Sequence, residues 1–392
     1  AGIVSPMGIG MSDNASGFHA GRSAFRPVEH FDVSQQRTQS AGVAIMPPRP
    51  GKFSSRPWQR MDRGTRMASA AAAEAMAAAH LTGGKIPVMV GTSAGAMPIG
   101  ESYYRHALNG DRQGQFSRVE HYQPQRQMSA MMRELGIFGP LRIISNACAS
   151  GANAIGHAFH LVRSGRADCV LAGGYDALAQ MVFAGFDSLQ ALAPSGIPRP
   201  FDQARDGLAI GEGAGFVVVE SLNSATTRNA TVLAHLLGYG AATDIHHLTQ
   251  PNPAGDAALL TMTQATRMAG LRPDQIDYLN SHGTGTPLND VAEAAAIQRW
   301  AGEHASRIRV SSTKSSIGHL LGGAGAVESV ICLLAMTGQW LPANLNVRVI
   351  DPAVSFDLVT TPCDASVRYT LTNSFGFGGA NASLVFGKEA VA

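Results

Sequence analysis

The sequence predicts an α/β protein built as two similar halves on largely parallel sheets, and three observations carry that reading. At 392 residues and 40.9 kDa the chain exceeds one domain of roughly 150 residues. Strand-like runs alternate with helical patterns along most of its length, the mark of βαβ units. Two strand-like runs end in reactive residues within Gly-rich surroundings, at Cys148 and at His282. Ligands of open α/β sheets collect at such carboxyl ends of strands.

The elements follow in order. Residues 50–66 read as a basic loop that runs into an Ala-rich helix at 67–81, whose small side chains allow close packing. A strand at 86–90 comes next. Strands at Leu141–Ile144 and 169–172 flank a helix at 151–163. A strand at 215–220 leads into SLNSATTR, polar and turn-rich, where the halves divide. Residues 1–222 then carry the cysteine and 223–392 the histidines. The second half reads as helix Asp256–Ala269, strand 275–280, helix 290–300 and strand 307–311.

Composition narrows the class. Hydrophobic residues make up 45%, which supports a large core and excludes a disordered chain. Charged residues reach only 15% against a usual value of about 25%, so part of the surface is expected to be covered in an oligomer. A net charge of +2 argues against bulk electrostatic binding to nucleic acid. No apolar run approaches the roughly 20 residues of a membrane span. The chain opens at Ala1 as if processed, which leaves targeting open; the expectation is a cytoplasmic protein without disulfides. None of the four cysteines lies in a CxxC pair. Cys169 and Cys332 sit in apolar runs and read as buried small hydrophobes.

Cys148 differs from these. It lies in NACASGANAIG, between small residues, with a helix immediately after it. A thiol at a helix N-terminus meets the positive end of the macrodipole, which predicts a lowered pKa and thiolate character. His282 precedes GTGTP, and His319 lies in STKSSIGHLLGGAGAVES. A cysteine and two histidines at Gly-rich loop ends suit a nucleophile with two donors or bases. The His246–His247 pair lacks an evident third ligand, so no metal site is expected. In NSFGFGGANASLVF, backbone N–H groups suit an oxyanion hole and Phe377 a pocket wall. One competing motif is Gly91-Thr92-Ser93-Ala94-Gly95, which matches the G-x-S-x-G elbow of serine hydrolases.

Together these segments resemble the β-ketoacyl-acyl-carrier-protein synthases of the thiolase superfamily, the type II condensing enzymes of fatty-acid and polyketide elongation. The resemblance covers residues 88–386. It rests on ACASG around Cys148, AGGYDAL, RPFDQARDGLAIGEGAG, SHGTGTPLND, SSTKSSIGHLLGGAGAVES and NSFGFGGANASLVF, all in family order.

The resemblance implies a duplicated, thiolase-like five-layered α-β-α-β-α sandwich and an intimate dimer. It implies that Cys148 takes the acyl chain from an acyl carrier protein. His282 and His319, as neutral donors through Nε2, would polarise the malonyl thioester while carbon dioxide leaves. The N–H groups of Cys148 and Phe377 would hold the second oxyanion. Lys314, paired with Glu328, would support the His319 loop. Phe377 would gate the pocket, with Thr284 and Thr286 contacting substrate. Arg56, Arg60, Arg63 and Arg66 would dock the acidic carrier protein. No resident cofactor is implied, since phosphopantetheine arrives with the substrate.

Two departures refine the expectation. Cys148 is present, which fits a catalytic ketosynthase rather than a chain-length-factor subunit. The segment 121–143 is shorter than, and unlike, the stretch in housekeeping relatives. That leaves open chain length, homodimer against heterodimer with a chain-length-factor-like partner, and a specialised polyketide or polyene pathway. Thiolases that use free coenzyme A carry a second cysteine near the C-terminal motif, and NSFGFGG has none.

Overall fold

The computed structural model describes residues 1–110 and 119–389. Two six-stranded sheets frame it. The first runs in spatial order Gly8–Ile9, Gly2–Ser5, Gly213–Glu220, Cys169–Asp176, Val88–Gly91 and Leu141–Ile144. The second runs Asp357–Leu358, Arg309–Ser311, Tyr278–Asn280, Tyr369–Phe375, Ala380–Gly387 and His235–Thr243.

Leaving aside one short outer strand in each sheet, the remaining five share one topology. Numbered first to fifth along the chain, they lie in the order first, fifth, fourth, second, third in both sheets. The fifth strand is antiparallel to both neighbours, and the fourth, second and third are parallel. Each sheet is therefore mixed rather than largely parallel, because the fifth strand returns against the fourth.

Three layers of helix separate and cover the sheets. Ser150–Arg163 and Ala324–Gly338 lie between them and touch strands of both. Arg63–Ala78 packs on the outer face of the first sheet. Asp256–Ala269 and Pro287–Ala301 cover the second, where Met262, Ala265 and Ile297 join Leu279, Val310 and Leu371 in one core. The result is a five-layered α-β-α-β-α sandwich. The central strands of the first sheet are buried almost throughout, as sheets covered on both faces require.

The central helices can approach closely only because small residues meet where they cross. A Cβ on Gly151 would lie 2.8 Å from the Ala326 nitrogen. Every residue from Ala324 to Met336 is buried, as expected of a helix that is apolar on nearly every side apart from Glu328 and Ser329. With the turn before it, Leu321–Gly338 has the length and hydropathy of a membrane span, yet 89% of it is buried inside the protein.

Several boundaries differ from the sequence reading for local reasons. The basic loop contains a short helix, Ser55–Arg60. The Ala-rich helix starts at Arg63, earlier than predicted, because the Asp62 carboxylate caps it by accepting from the Thr65 N–H at 3.1 Å. The polar run at 221–228 is a helix, Leu222–Thr227, capped by Ser221. Cys169 is half-buried rather than buried, since it opens its strand, whereas Cys332 is buried. At one side of the molecule the edge strand Leu141–Ile144 pairs, among the described residues, only with Val88–Gly91. The helix Met97–Leu108 on that side buries none of its residues and exposes Tyr103, Tyr104 and Leu108.

Candidate active site

The duplicated topology brings the carboxyl ends of both sets of parallel strands toward one cavity of about 380 Å³. Cys148, His282, His319, Thr284, Thr286 and Phe377 all line it.

Cys148 stands on a sharp turn between the Leu141–Ile144 strand and the Ser150–Arg163 helix. The residue before it, Ala147, has φ 53°, a left-handed conformation that costs a non-glycine roughly 1–2 kcal/mol. Three donors on the Ala147 carbonyl hold this turn: Ser150 N–H at 3.1 Å, Ser150 Oγ at 2.5 Å and Ser93 Oγ at 2.9 Å. The Phe377 backbone N–H lies on the Cys148 side of its loop and slightly favours the thiolate. The thiol contradicts the lowered pKa predicted from the helix terminus. Burial pushes it up to about 12, and the Lys314 charge offsets this only in part. The resting sulfur is a thiol.

His282 follows the Tyr278–Asn280 strand. The Glu293 carboxyl accepts from the His282 and Gly283 N–H groups at 2.8 and 2.7 Å, and from Asn373 Nδ2 at 3.1 Å. His319 is fixed by its backbone, which bonds Ala209 O and the Gly211 N–H. Its Nδ1 accepts from the Leu321 N–H at 3.2 Å, which assigns the ring proton to Nε2. Burial, with the Lys314 charge, drives both imidazoles well below their ordinary range, so both are neutral. Lys314 itself forms a buried ion pair with Glu328, the pairing the resemblance implied.

The Phe377 ring is partly exposed at the mouth and stacks on Phe186 with centroids 5.8 Å apart. Its loop is tied to the facing 244–248 loop by Gly378 N–H to Leu248 O and Asp244 N–H to Gly379 O. The Thr284 and Thr286 hydroxyls lie 2.9 Å apart on the cavity wall.

The four arginines separate. Arg56 and Arg60 line a second crevice together with Arg133. Arg63 turns inward to pair with the buried Glu212, and Arg66 bonds the Trp58 and Gln59 carbonyls. Arg63 and Arg66 are thus committed to holding their own fold. Among the described residues no cluster of three metal-ligating side chains gathers, and His247 Nδ1 accepts from the Thr249 N–H instead.

The hydrolase reading of Ser93 fails on geometry. Its hydroxyl donates to the Ala147 carbonyl rather than to a base, and its N–H is held by Asp176. The Gly91–Gly95 turn is the first half's counterpart of the turn carrying His282, since each follows the second strand of its sheet.

Sequence reasoning missed two buried carboxyl groups, Asp176 and Glu293. Asp176 lies inside the AGGYDAL motif, which was the available signal; Glu293 sits in a helix with no local mark. Burial raises both, and takes Glu293 up to about 7.

Comparisons agree with this geometry. Residues 1–225 match the family model for the beta-ketoacyl synthase N-terminal domain and 233–348 that for its C-terminal domain. The chain is 36% identical to a 3-oxoacyl-[acyl-carrier-protein] synthase 2 of Synechocystis sp., covering 99% of this chain and 96% of the relative. It is 38% identical to the protein of that name from Staphylococcus aureus, over 84% of this chain and 83% of the relative. The solved ishigamide ketosynthase/chain length factor superposes with a TM-score of 0.91 at 33% identity, covering 99% and 97% of the two chains. A type II polyketide synthase ketosynthase in complex with its acyl-carrier protein superposes at 0.87 with 26% identity, covering 99% and 98%. With the duplicated sandwich, the buried thiol and the paired neutral imidazoles all in place, the chain belongs to the β-ketoacyl synthase family.

Proposed function

We propose that this protein joins a malonyl unit on an acyl carrier protein to an acyl chain held on Cys148, in fatty-acid or polyketide elongation. One observation carries the reading: a thiol and two neutral imidazoles line a single cavity, with Phe377 beside them.

In the first half-reaction sulfur bonds the thioester carbon as the Cys148 thiol gives up its proton. The carrier thiolate leaves and takes that proton. In the second, the bond from the malonyl carboxylate to its methylene breaks and carbon dioxide leaves. The electron pair passes to the thioester oxygen, where the Nε2–H groups of His282 and His319 stabilise the enolate. The enolate carbon then attacks the acyl-Cys148 carbonyl. Its oxyanion lies against the N–H groups of Cys148 and Phe377. Collapse expels the Cys148 thiolate, which takes one proton from solvent per turn. Neutral rings suit this work because each must donate its Nε2 proton without losing it. Lys314, paired with Glu328, holds the second loop and helps keep both rings neutral. No resident cofactor or metal enters this scheme, since the phosphopantetheine arm belongs to the carrier.

Arg56 and Arg60, with Arg133 beside them, form the carrier-docking patch in this reading. The helix Met97–Leu108, with its exposed Tyr103, Tyr104 and Leu108, and the open edge of Leu141–Ile144 are where a second subunit packs. That subunit is a second copy or a chain-length-factor-like partner. The solved ketosynthase of Xenorhabdus doucetiae in complex with its chain length factor, 28% identical at a TM-score of 0.80 over 99% of this chain and 96% of that one, supports the latter. The reading places the enzyme in the cytoplasm, acting on carrier-bound thioesters rather than at a membrane or on nucleic acid.

Intact-mass spectrometry tests the core of this. Wild type incubated with acyl-loaded carrier protein gains one acyl group, and Cys148→Ala gains none. Absence of an adduct with every chain, even after co-expression with a chain-length-factor partner, rejects the reading.

A further inference from the structure

We propose that Asp176 is a positioning residue that sets the nucleophile turn of Cys148 against the loop of His319. The inference rests on the condensation reading and extends it to a residue that touches neither substrate nor sulfur.

Asp176 ends the Cys169–Asp176 strand and is fully buried. Its two carboxylate oxygens accept from five groups: Thr92 Oγ at 2.6 Å, Ser93 N–H at 3.0 Å, Ala94 and Gly95 N–H at 2.9 Å, and Gly322 N–H at 2.6 Å. Four of these are backbone donors with nothing to accept a carboxyl proton, so the group serves as a carboxylate. Among the described residues no arginine or lysine pairs with it. A buried anion held by four amides and one hydroxyl, with no cation beside it, is expensive to desolvate, and what it organises here is the site itself.

Two arms leave this carboxylate. Along the first, the Ser93 N–H is held by Asp176 while the Ser93 hydroxyl donates to the Ala147 carbonyl. Ala147 is the left-handed residue that aims Cys148. Along the second, Asp176 holds the Gly322 N–H. The neighbouring Leu321, itself at φ 52°, donates its N–H to His319 Nδ1. That bond keeps the His319 proton on Nε2. The arms also touch, since a Cβ on Gly322 would lie 2.5 Å from the Ser93 nitrogen and 2.6 Å from its hydroxyl. One carboxylate thus ties a first-half loop to a second-half loop, and the anion also opposes ionisation of the Cys148 thiol.

The test separates the half-reactions. Acylation of Cys148 is timed by intact mass with acyl-loaded carrier. Malonyl decarboxylation is timed in a Cys148→Ala background, where no nucleophile is needed. Asp176→Asn turns an amide N–H₂ toward backbone donors, so both rates fall by about tenfold or more while KM for malonyl carrier stays within about twofold. Because the anion is gone, thiol alkylation by iodoacetamide also shifts to lower pH; the readout that a general loss of packing would not produce is an unequal effect on the two half-reactions when only one arm is cut. Ser93→Ala cuts only the first arm: acylation slows by about tenfold and decarboxylation stays within about twofold. Asp176→Glu recovers neither rate, since the longer side chain displaces both loops.

A folded Asp176→Asn enzyme running both half-reactions at wild-type rates overturns the proposal. Should that variant fail to fold, Ser93→Ala decides: equal effects on the two half-reactions, or none, overturn it. A wild-type enzyme that performs neither half-reaction refutes the condensation reading instead, and the two failures are thereby distinct.

Discussion

The rings of His282 and His319 stand edge to face, 5.2 Å between centroids and 84° between planes, in a site where neither carries charge. Each follows a different strand of the second sheet, and burial, with the Lys314 ammonium beside them, makes protonation of either unfavourable. Malonyl decarboxylation is therefore expected to show no histidine titration between about pH 6 and 8. His319→Ala, which removes one oxyanion donor, slows it by about 10²–10³. Carbon dioxide release in a Cys148→Ala background measures both; a rate that falls on raising the pH through 6.5 contradicts neutral rings.

The oxyanion donor at Phe377 is backbone, and that separates two substitutions at one position. Phe377→Ala keeps the N–H and removes only the ring stacked on Phe186, so Cys148 acylation stays within about tenfold of wild type. Phe377→Pro removes the N–H, and acylation falls by about 10²–10³. The preceding Gly376, at φ −127° and ψ 152°, already has the conformation that a residue before proline prefers. Single-turnover acylation of both variants is the measurement, and equal rates would remove the N–H from the mechanism.

Lys314 and Glu328 are both buried, so removing one partner strands the other. Lys314→Met is expected to cost about 3–5 kcal/mol, and Lys314→Met with Glu328→Leu to recover much of it. Urea unfolding of the three proteins checks the sign. Activity is not expected to return in the double variant, because the ion pair that holds the His319 loop is gone.

Glu293 makes stability depend on pH. Burial raises its carboxyl from 4.5 to about 7 in the folded state. Between those values the folded protein holds a proton that the unfolded chain has released. This contribution is therefore full below about pH 4.5 and is lost as the pH rises through about 7, to the extent of about 3 kcal/mol. In Glu293→Gln that loss is absent. Unfolding free energies of both proteins at pH 5 and pH 8 test it, and parallel curves contradict the raised carboxyl.

Much of the site was legible in the chain because its chemistry lies in short contiguous segments. Cys148 with its small neighbours, His282 before GTGTP and His319 within its Gly-rich run each carry their own local signal. The pairing of Lys314 with Glu328, fourteen positions on, followed from the family resemblance and not from the residues alone. The G-x-S-x-G turn misled for the same reason: a pentapeptide states its backbone shape and not what its hydroxyl meets.

The sequence by itself determined the residue types of the chemistry, the alternation of strands and helices, and the duplicated two-half plan. Such features depend on neighbours within a few residues, on side-chain periodicity and on glycine's tolerance of tight turns. Only the tertiary structure decided that the Cys148 thiol is raised rather than lowered, that Arg63 pairs inward with Glu212, and that each sheet turns antiparallel at its fifth strand. Asp176 belongs with these, since its donors lie 81 to 146 positions away along the chain. The physical reason is the same throughout. Burial and charge pairing depend on which distant segments meet, and at a buried group desolvation outweighs what a local helix end supplies.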